Sequence, residues 1–328
     1  MLASCERLWI GEGLLLLTSE NQKTSQLRHQ SKQPPRWTLG QSETLALRAA
    51  FLPGAQAVNA WHEFSARYDF DDLFPASSEL LPIVYSNLSK QGWSGSGVGK
   101  VQGLQRKNWY ANQLLLKDLA LYIKHLTESG IEPLIVKNAA LALQYYEHPG
   151  LRNIRDFDLI VRRRDFSCAL RILGEFGLKQ LQQDRHGRYL NLQSAVIDVA
   201  MPGQERMFWN SASAIDVLGS SALVLSRADQ LFYTLLNRRS YGAAASMWIA
   251  DVLTIAGTIR DTDSVLHRVH DHRIAGPIKH ALGLLVQAFP EGSNSSIVEK
   301  LFSLEVSTWE KVQRHLWAVF LRSLKVNP

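Results

Sequence analysis

Asp156 and Asp158, two residues apart in the run RDFDLIV, are the side chains whose type and spacing point most directly to chemistry. The apolar residues that follow make the run a β-strand, and residues i and i+2 of a strand share one face. Carboxylates held side by side raise each other's pKa unless a cation compensates. The pair is therefore either tolerated on an exposed face or built around something positive. A third carboxylate, Asp198 in SAVIDVAM, lies in another strand-like run. It would join the pair if that strand were a neighbour, although a strand end also accommodates an aspartate without any function. A hard divalent ion such as Mg²⁺, with Mn²⁺ able to stand in, takes oxygen ligands and keeps positions open for phosphates. Two such ions can stabilise the attacking and leaving oxygens of an in-line phosphoryl displacement.

Basic and amide side chains surround the pair in sequence. Lys137 ends the preceding apolar run EPLIVK, where it could hold a phosphate at the start of the next helix or simply snorkel from a strand end. Asn138 is placed to cap that helix. Arg152 and Arg155 could pair with the aspartates or with a triphosphate, and pairing is the expectation for Arg152. The run Arg162, Arg163, Arg164 reads as a solvated turn. His186, in DRHGR, reads as a surface loop residue rather than a general base. Asp229 follows Ser226 as a first-turn residue after a cap, and Asp251 is expected to bridge to a basic side chain.

The elements that must position these residues follow from periodicity. Residues 132–137 and RDFDLIV read as buried strands, with NAALALQYYEH as the helix between them. A second helix is expected over residues 165–176, and KQLQQD, RYLNLQ and SAVIDVAM as further strands. Before this core, SETLALRAAF, VNAWHEFSARY and LLPIVYSNLSKQG carry helical spacing. Residues 92–103 form a Gly/Ser-rich loop, and KNWYANQLLLKDLALYIKHLTESG is a long amphipathic helix. After Pro202 the chain reads as helical to its end. The fold class is α+β: a small mixed sheet flanked by helical regions. The boundaries are 1–41 for a linker-like N-terminal segment, 42–130 for the first helical region, 131–202 for the α/β core and 203–328 for the second helical region.

The 328 residues, 46% hydrophobic and 20% charged, suffice for a substantial core. A net charge of +6 mildly favours anionic partners. Cys5 and Cys168 are too few and too far apart for a disulfide framework or a zinc site, which fits a reducing cytoplasm. LWIGEGLLLL, residues 8–17, is interrupted by Glu12 and too short to span a bilayer. It reads as a buried helix or as a start codon set too early, and no membrane partner is expected.

The stretch LIVKNAALALQYYEHPGLRNIRDFDLIV resembles the nucleotidyltransferase superfamily, and more narrowly its uncharacterised bacterial nucleotidyltransferase-like family. The family pattern reads L-K-G-A-A-L, then Y-Y, then P-x-x-R-x-x-x-D-x-D. It falls here on Lys137–Leu141, Tyr145 and Tyr146, Pro149, Arg152, Asp156 and Asp158. The resemblance extends over roughly residues 42–260. It implies an ion at the aspartates, an NTP substrate, and transfer of a nucleoside monophosphate to a peptide, protein, small-molecule or RNA-end acceptor. Lys137, Asn138 and Arg152 are the expected substrate-binding residues, with Lys137 and Arg152 neutralising phosphate charge. Two departures stand out. Asn138 occupies the usual glycine position, and Val199, Ala200 and Met201 follow Asp198 where the family has D-L-H-W. These departures sustain an alternative, a catalytically inactive protein that uses the fold to bind nucleotides or partners. No nucleic-acid reader motif is present.

Overall fold

The computed structural model describes residues 39–69, 75–95, 97–175, 189–196, 205–237 and 245–312. The expected N-terminal linker up to residue 38, the KQLQQD strand, His186 and Asp198 lie outside them.

Four helices precede the sheet: α1 (Gln41–Phe51), α2 (Gly54–Arg67), α3 (Pro75–Lys90) and the long α4 (Val98–Glu128). The first strand and helix of the core are β1 (Leu134–Val136) and α5 (Lys137–Gln144). They lead through a 3-10 turn, Pro149–Leu151, into β2 (Asp156–Ile160) and α6 (Phe166–Glu175). The sheet continues with β3 (Tyr189–Gln193), helix α7 (Glu205–Ser211) and the hairpin β4 (Ser213–Val217) and β5 (Ser220–Val224). Helices α8 (Arg227–Leu236), α9 (Ala245–Thr258), α10 (Thr262–Asp271), α11 (Ala275–Ala288) and α12 (Ser296–Ser303) follow. The class is α+β. No helix among the described residues is long and apolar enough to cross a membrane.

The strand order is β3-β2-β1-β5-β4. β1 is antiparallel to β2 and parallel to β5, β2 is parallel to β3, and β4 is antiparallel to β5. Alternation along β2 divides the sheet into two faces. Phe157 and Leu159 enter a core made with Leu119 and Ile123 of α4 and Ile172 of α6. Ile160 enters the opposite core with Val136, Phe208 of α7 and Tyr233 of α8. The three residues of β1 are all buried because the strand is covered on both sides. A third and larger core fills the space among the flanking helices, around Trp61, Phe64, Trp248 and Phe289.

Three expectations are corrected here. The chain after Pro202 is not helical throughout, because β4 and β5 join the sheet and β5 lies directly beside β1. Their two-residue turn, Leu218 and Gly219, has φ of 50° and 85°. A two-residue hairpin turn with both φ values positive matches the strand twist, but it is usually signalled by Asn-Gly or Asp-Gly rather than Leu-Gly. The loop expected at residues 92–103 extends only to Gly97, where α4 begins, so Gly99 and Gly103 are helical. Asn138 does not cap α5: the N-cap position is Val136, with no side-chain cap.

Helices α7, α8 and α10 are fastened to one another by a buried polar knot. Ser226 caps α8 by accepting from Asp229 N–H at 3.3 Å. The Asp229 carboxylate is fully buried and receives Ser226 Oγ (2.6 Å), Ser211 Oγ of α7 (2.5 Å) and Arg268 Nη2 of α10 (2.6 Å). His272 Nε2 lies 3.2 Å from the same carboxylate, and its ring stacks on Phe208 at 4.5 Å. Burial alone would raise this carboxyl's pKa, but hydrogen bonds from His272, Arg268 and the two serines hold it below the ordinary value. The native state therefore binds this proton less readily than the unfolded chain. The resulting stabilisation is present above the unfolded carboxyl's pKa and is lost as pH falls through the lower, folded one. Asp229→Asn should cost about 3 kcal/mol in urea unfolding at neutral pH. It should also weaken the loss of stability on acidification.

Candidate active site

Strand β2 begins with Asp156 and places Asp158 two residues later on the same face. Register then brings amides to the second carboxylate. Asp158 lies opposite Asn191 of parallel β3 and opposite Val136 of antiparallel β1. Asn191 Nδ2 donates to Asp158 Oδ1 at 2.8 Å, and Gln193 Nε2 does so at 3.5 Å. The residue after Val136 is Lys137, whose Nζ lies 2.5 Å from the same oxygen. Asp158 is 1% exposed. Burial raises its pKa, Lys137 opposes that shift, and Asp156 adds to it. The other oxygen, Oδ2, is buried with no hydrogen-bond partner among the described residues.

Lys137 adopts φ of 55°, a left-handed backbone at the strand–helix junction. Such a conformation costs a non-glycine residue about 1–2 kcal/mol. The positive φ falls on Lys137, one residue before Asn138, which occupies the family's usual glycine position. Asn138 lies within the first turn of α5, and its side chain joins two charged groups. Its Nδ2 donates to Asp156 Oδ1 at 2.8 Å, while its Oδ1 accepts from Arg152 Nη2 at 2.7 Å.

Arg152 is 4% exposed and sits within a buried network. Its Nε and Nη2 donate to the two oxygens of Asp251 in α9 at 2.9 and 3.0 Å, and its Nη1 donates to Asn153 O at 3.0 Å. Tyr146 Oη donates to Asp251 at 2.6 Å, and burial followed by the Asp251 charge raises the phenol's pKa well above its usual value. Asn138 therefore links Arg152 to Asp156. Asn112 of α4 fixes the approach to β2 by donating to Pro149 O (2.5 Å) and Arg152 O (2.8 Å) and accepting from Ile154 N–H (3.0 Å). Arg155 forms an ion pair with Glu79 of α3.

The structure thus brings together Lys137, Asn138, Asp156 and Asp158, with Arg152 in a second layer behind them. Asp198 lies outside the described residues, among which no group of three or more His, Cys, Asp or Glu is placed to hold an ion. Sequence reasoning missed Asn191, Gln193 and Asn112. Asn191 and Gln193 alternate with Leu190 and Leu192, which marks them as one polar face, but their meeting with Asp158 depends on a register between distant strands.

The site so described is a buried Asp158 and a partly buried Asp156 on one strand of a small mixed sheet. The chain belongs to the family described as an uncharacterised nucleotidyltransferase, whose sequence profile matches residues 76–290. The crystal structure of an antigenic nucleotidyltransferase-like protein from Paracoccidioides brasiliensis is similar over 56% of this chain and 92% of that one, at 16% identity and a TM-score of 0.40. The solution structure of the antibiotic-resistance factor ANT(2'')-Ia is similar over 49% of this chain and 98% of that one, at 14% identity and a TM-score of 0.29. No curated protein matches the chain.

Removing either half of the Arg152–Asp251 pair leaves a buried charge without its opposite charge. Arg152→Met or Asp251→Leu alone should each cost about 3–5 kcal/mol in denaturant unfolding, whereas the double variant should regain much of that loss. A double variant as unstable as the sum of the singles would show that the two residues act separately.

Proposed function

We propose that this protein catalyses Mg²⁺-dependent transfer of a nucleoside monophosphate from an NTP to an acceptor hydroxyl, with Asp156, Asp158 and Asp198 as the ion's ligands. The observation that carries this reading is Asp158 Oδ2, a buried carboxylate oxygen without a donor among the described residues, beside a second carboxylate on the same strand face. A bare buried oxygen is costly, and a hard cation satisfies it. Family membership supports the NTP as substrate.

In the reaction the acceptor oxygen bonds to the α-phosphorus as the bond to the pyrophosphate oxygen breaks, and the hydroxyl proton passes to a carboxylate, for which Asp198 is the candidate. A bound divalent ion supplies charge neutralisation along the phosphates. The chain's own contribution is positioning. Asn138 holds the Asp156 carboxylate from one side, while Arg152 and Asp251 fix Asn138. Lys137, already against Asp158, is the side chain that we assign to meet incoming phosphate charge. Arg152 has its charge answered by Asp251 and acts as a positioning residue. An inactive nucleotide-binding protein is the second reading, favoured by the donors that Lys137 and Asn138 already place on one oxygen of each aspartate. Pyrophosphate release across the four NTPs separates the two.

Calorimetry should show NTP binding that requires Mg²⁺. The variant Asp156→Asn/Asp158→Asn should stay folded and lose that binding, and unchanged binding would defeat the assignment. Asp198→Ala should reduce turnover more than affinity. Lys137→Met removes the countercharge of Asp158 and should destabilise the metal-free protein by about 3 kcal/mol. Added Mg²⁺ should then raise its melting temperature by more than it raises that of the unaltered protein.

A further inference from the structure

The outer face of α4 carries features that the aspartate site does not use. The helix contains Lys100, Arg106, Lys107, Lys117 and Lys124 against only Asp118 and Glu128. Arg106, Lys107 and Lys117 are exposed and form no ion pair among the described residues. Large apolar side chains stand among them in the open: Tyr110 is 67% exposed and Leu114 65%. The strip from Arg106 to Lys124 is about 27 Å long at the helical rise.

At one end of the strip is a cleft of about 370 Å³ lined by Gln102, Gln105, Arg106, Trp109, Tyr110 and His148. The Trp109 and His148 rings lie 6.4 Å apart at 30°, near the outer end of the ~4.5–7 Å range for aromatic pairs, so they gain little from each other. Tyr110 meets Trp109 edge-on at 5.0 Å. His148 is held in place by accepting from Gly150 N–H through Nδ1 at 3.0 Å, and Asn112 ties the same turn to α4. Gly150 permits this closeness, since a Cβ there would lie 2.6 Å from Gln105 O and 3.1 Å from Trp109 Cβ. The cleft is therefore preorganised, with aromatic faces, amides that can read a ring edge, and a guanidinium. Farther along the same helix, Leu114, Lys117, Leu121 and Lys124 border a second groove against the β4–β5 turn.

We propose that this face of α4 binds single-stranded nucleic acid, with an unpaired base in the Trp109–His148 cleft and the backbone running along Lys107, Lys117 and Lys124. Stacking faces joined to a cationic track are the means by which proteins hold single strands without reading sequence, and the strip's length suits several nucleotides. The inference is independent of the aspartates and of any metal.

The test is fluorescence anisotropy of a labelled oligouridylate of about ten nucleotides, in EDTA so that the aspartate site contributes no ion-dependent binding. Binding should weaken steeply with salt, and Lys107→Glu/Lys117→Glu should reduce affinity at least about tenfold while lowering the salt slope by about two. His148→Asn retains an acceptor for Gly150 N–H but removes the ring, and should weaken binding about tenfold with the salt slope unchanged. Uridine monophosphate should bind far more weakly than the strand and ignore Lys117→Glu. Strand binding that is absent at low salt, or indifferent to these variants, would overturn the proposal. So would mononucleotide binding as tight as the strand's, or capture by phosphatidylserine vesicles in place of the oligonucleotide.

Discussion

A guanidinium sealed from water must have its charge answered nearby, and the answer Arg152 finds in Asp251 ties the molecule's two halves together. Arg152 belongs to the segment leading into β2, while Asp251 lies in α9, far along the chain. Their contact joins a helix of the C-terminal region to the strand that carries both aspartates. Tyr146 completes the arrangement from the end of α5, and Asn138 extends it to Asp156. The position of Asp156 is thereby coupled to the helical scaffold through two side chains.

The sheet's faces serve different ends. The face toward α4 and α6 is closed by Phe157, Leu159, Ile135 and their neighbours, which gives β2 a fixed apolar anchor. That anchor obliges Asp156 and Asp158 to point the other way, since a slip by one residue would drive both carboxylates into the apolar core. The packing on one side thus fixes where both carboxylates stand on the other. At the junction the left-handed Lys137 lets α5 begin immediately after β1, placing Lys137 against Asp158 and Asn138 against Asp156.

Much of this was legible in residue order wherever a local period or cap decides the outcome. The alternation of RDFDLIV put both aspartates on one face, Ser226 marked the start of a helix, and Asp251 asked for a basic partner. Contacts that depend on distant register were not legible. Nothing local tells Asn191 that it will meet Asp158, and nothing in the Arg152 segment selects α9. The β4–β5 hairpin was missed because Leu218 occupies a left-handed turn position where Asn or Asp is the usual signal. Asn138 was read as a cap because its residue type suits one, yet two charged groups claim its side chain. The start of α4 was set too late because glycines normally mark loops, while here tertiary packing carries the helix through them.

The place of β5 beside β1 has a consequence for synthesis. Leu134 pairs with Leu223, so the middle of the sheet is completed by a strand made about ninety residues later. On the ribosome, β1 and β2 can pair early, but the other edge of β1 stays bare until Val224 has emerged. For that interval the nascent chain presents an unpaired, wholly apolar strand, the kind of surface that holding chaperones cover and that neighbouring chains can seize.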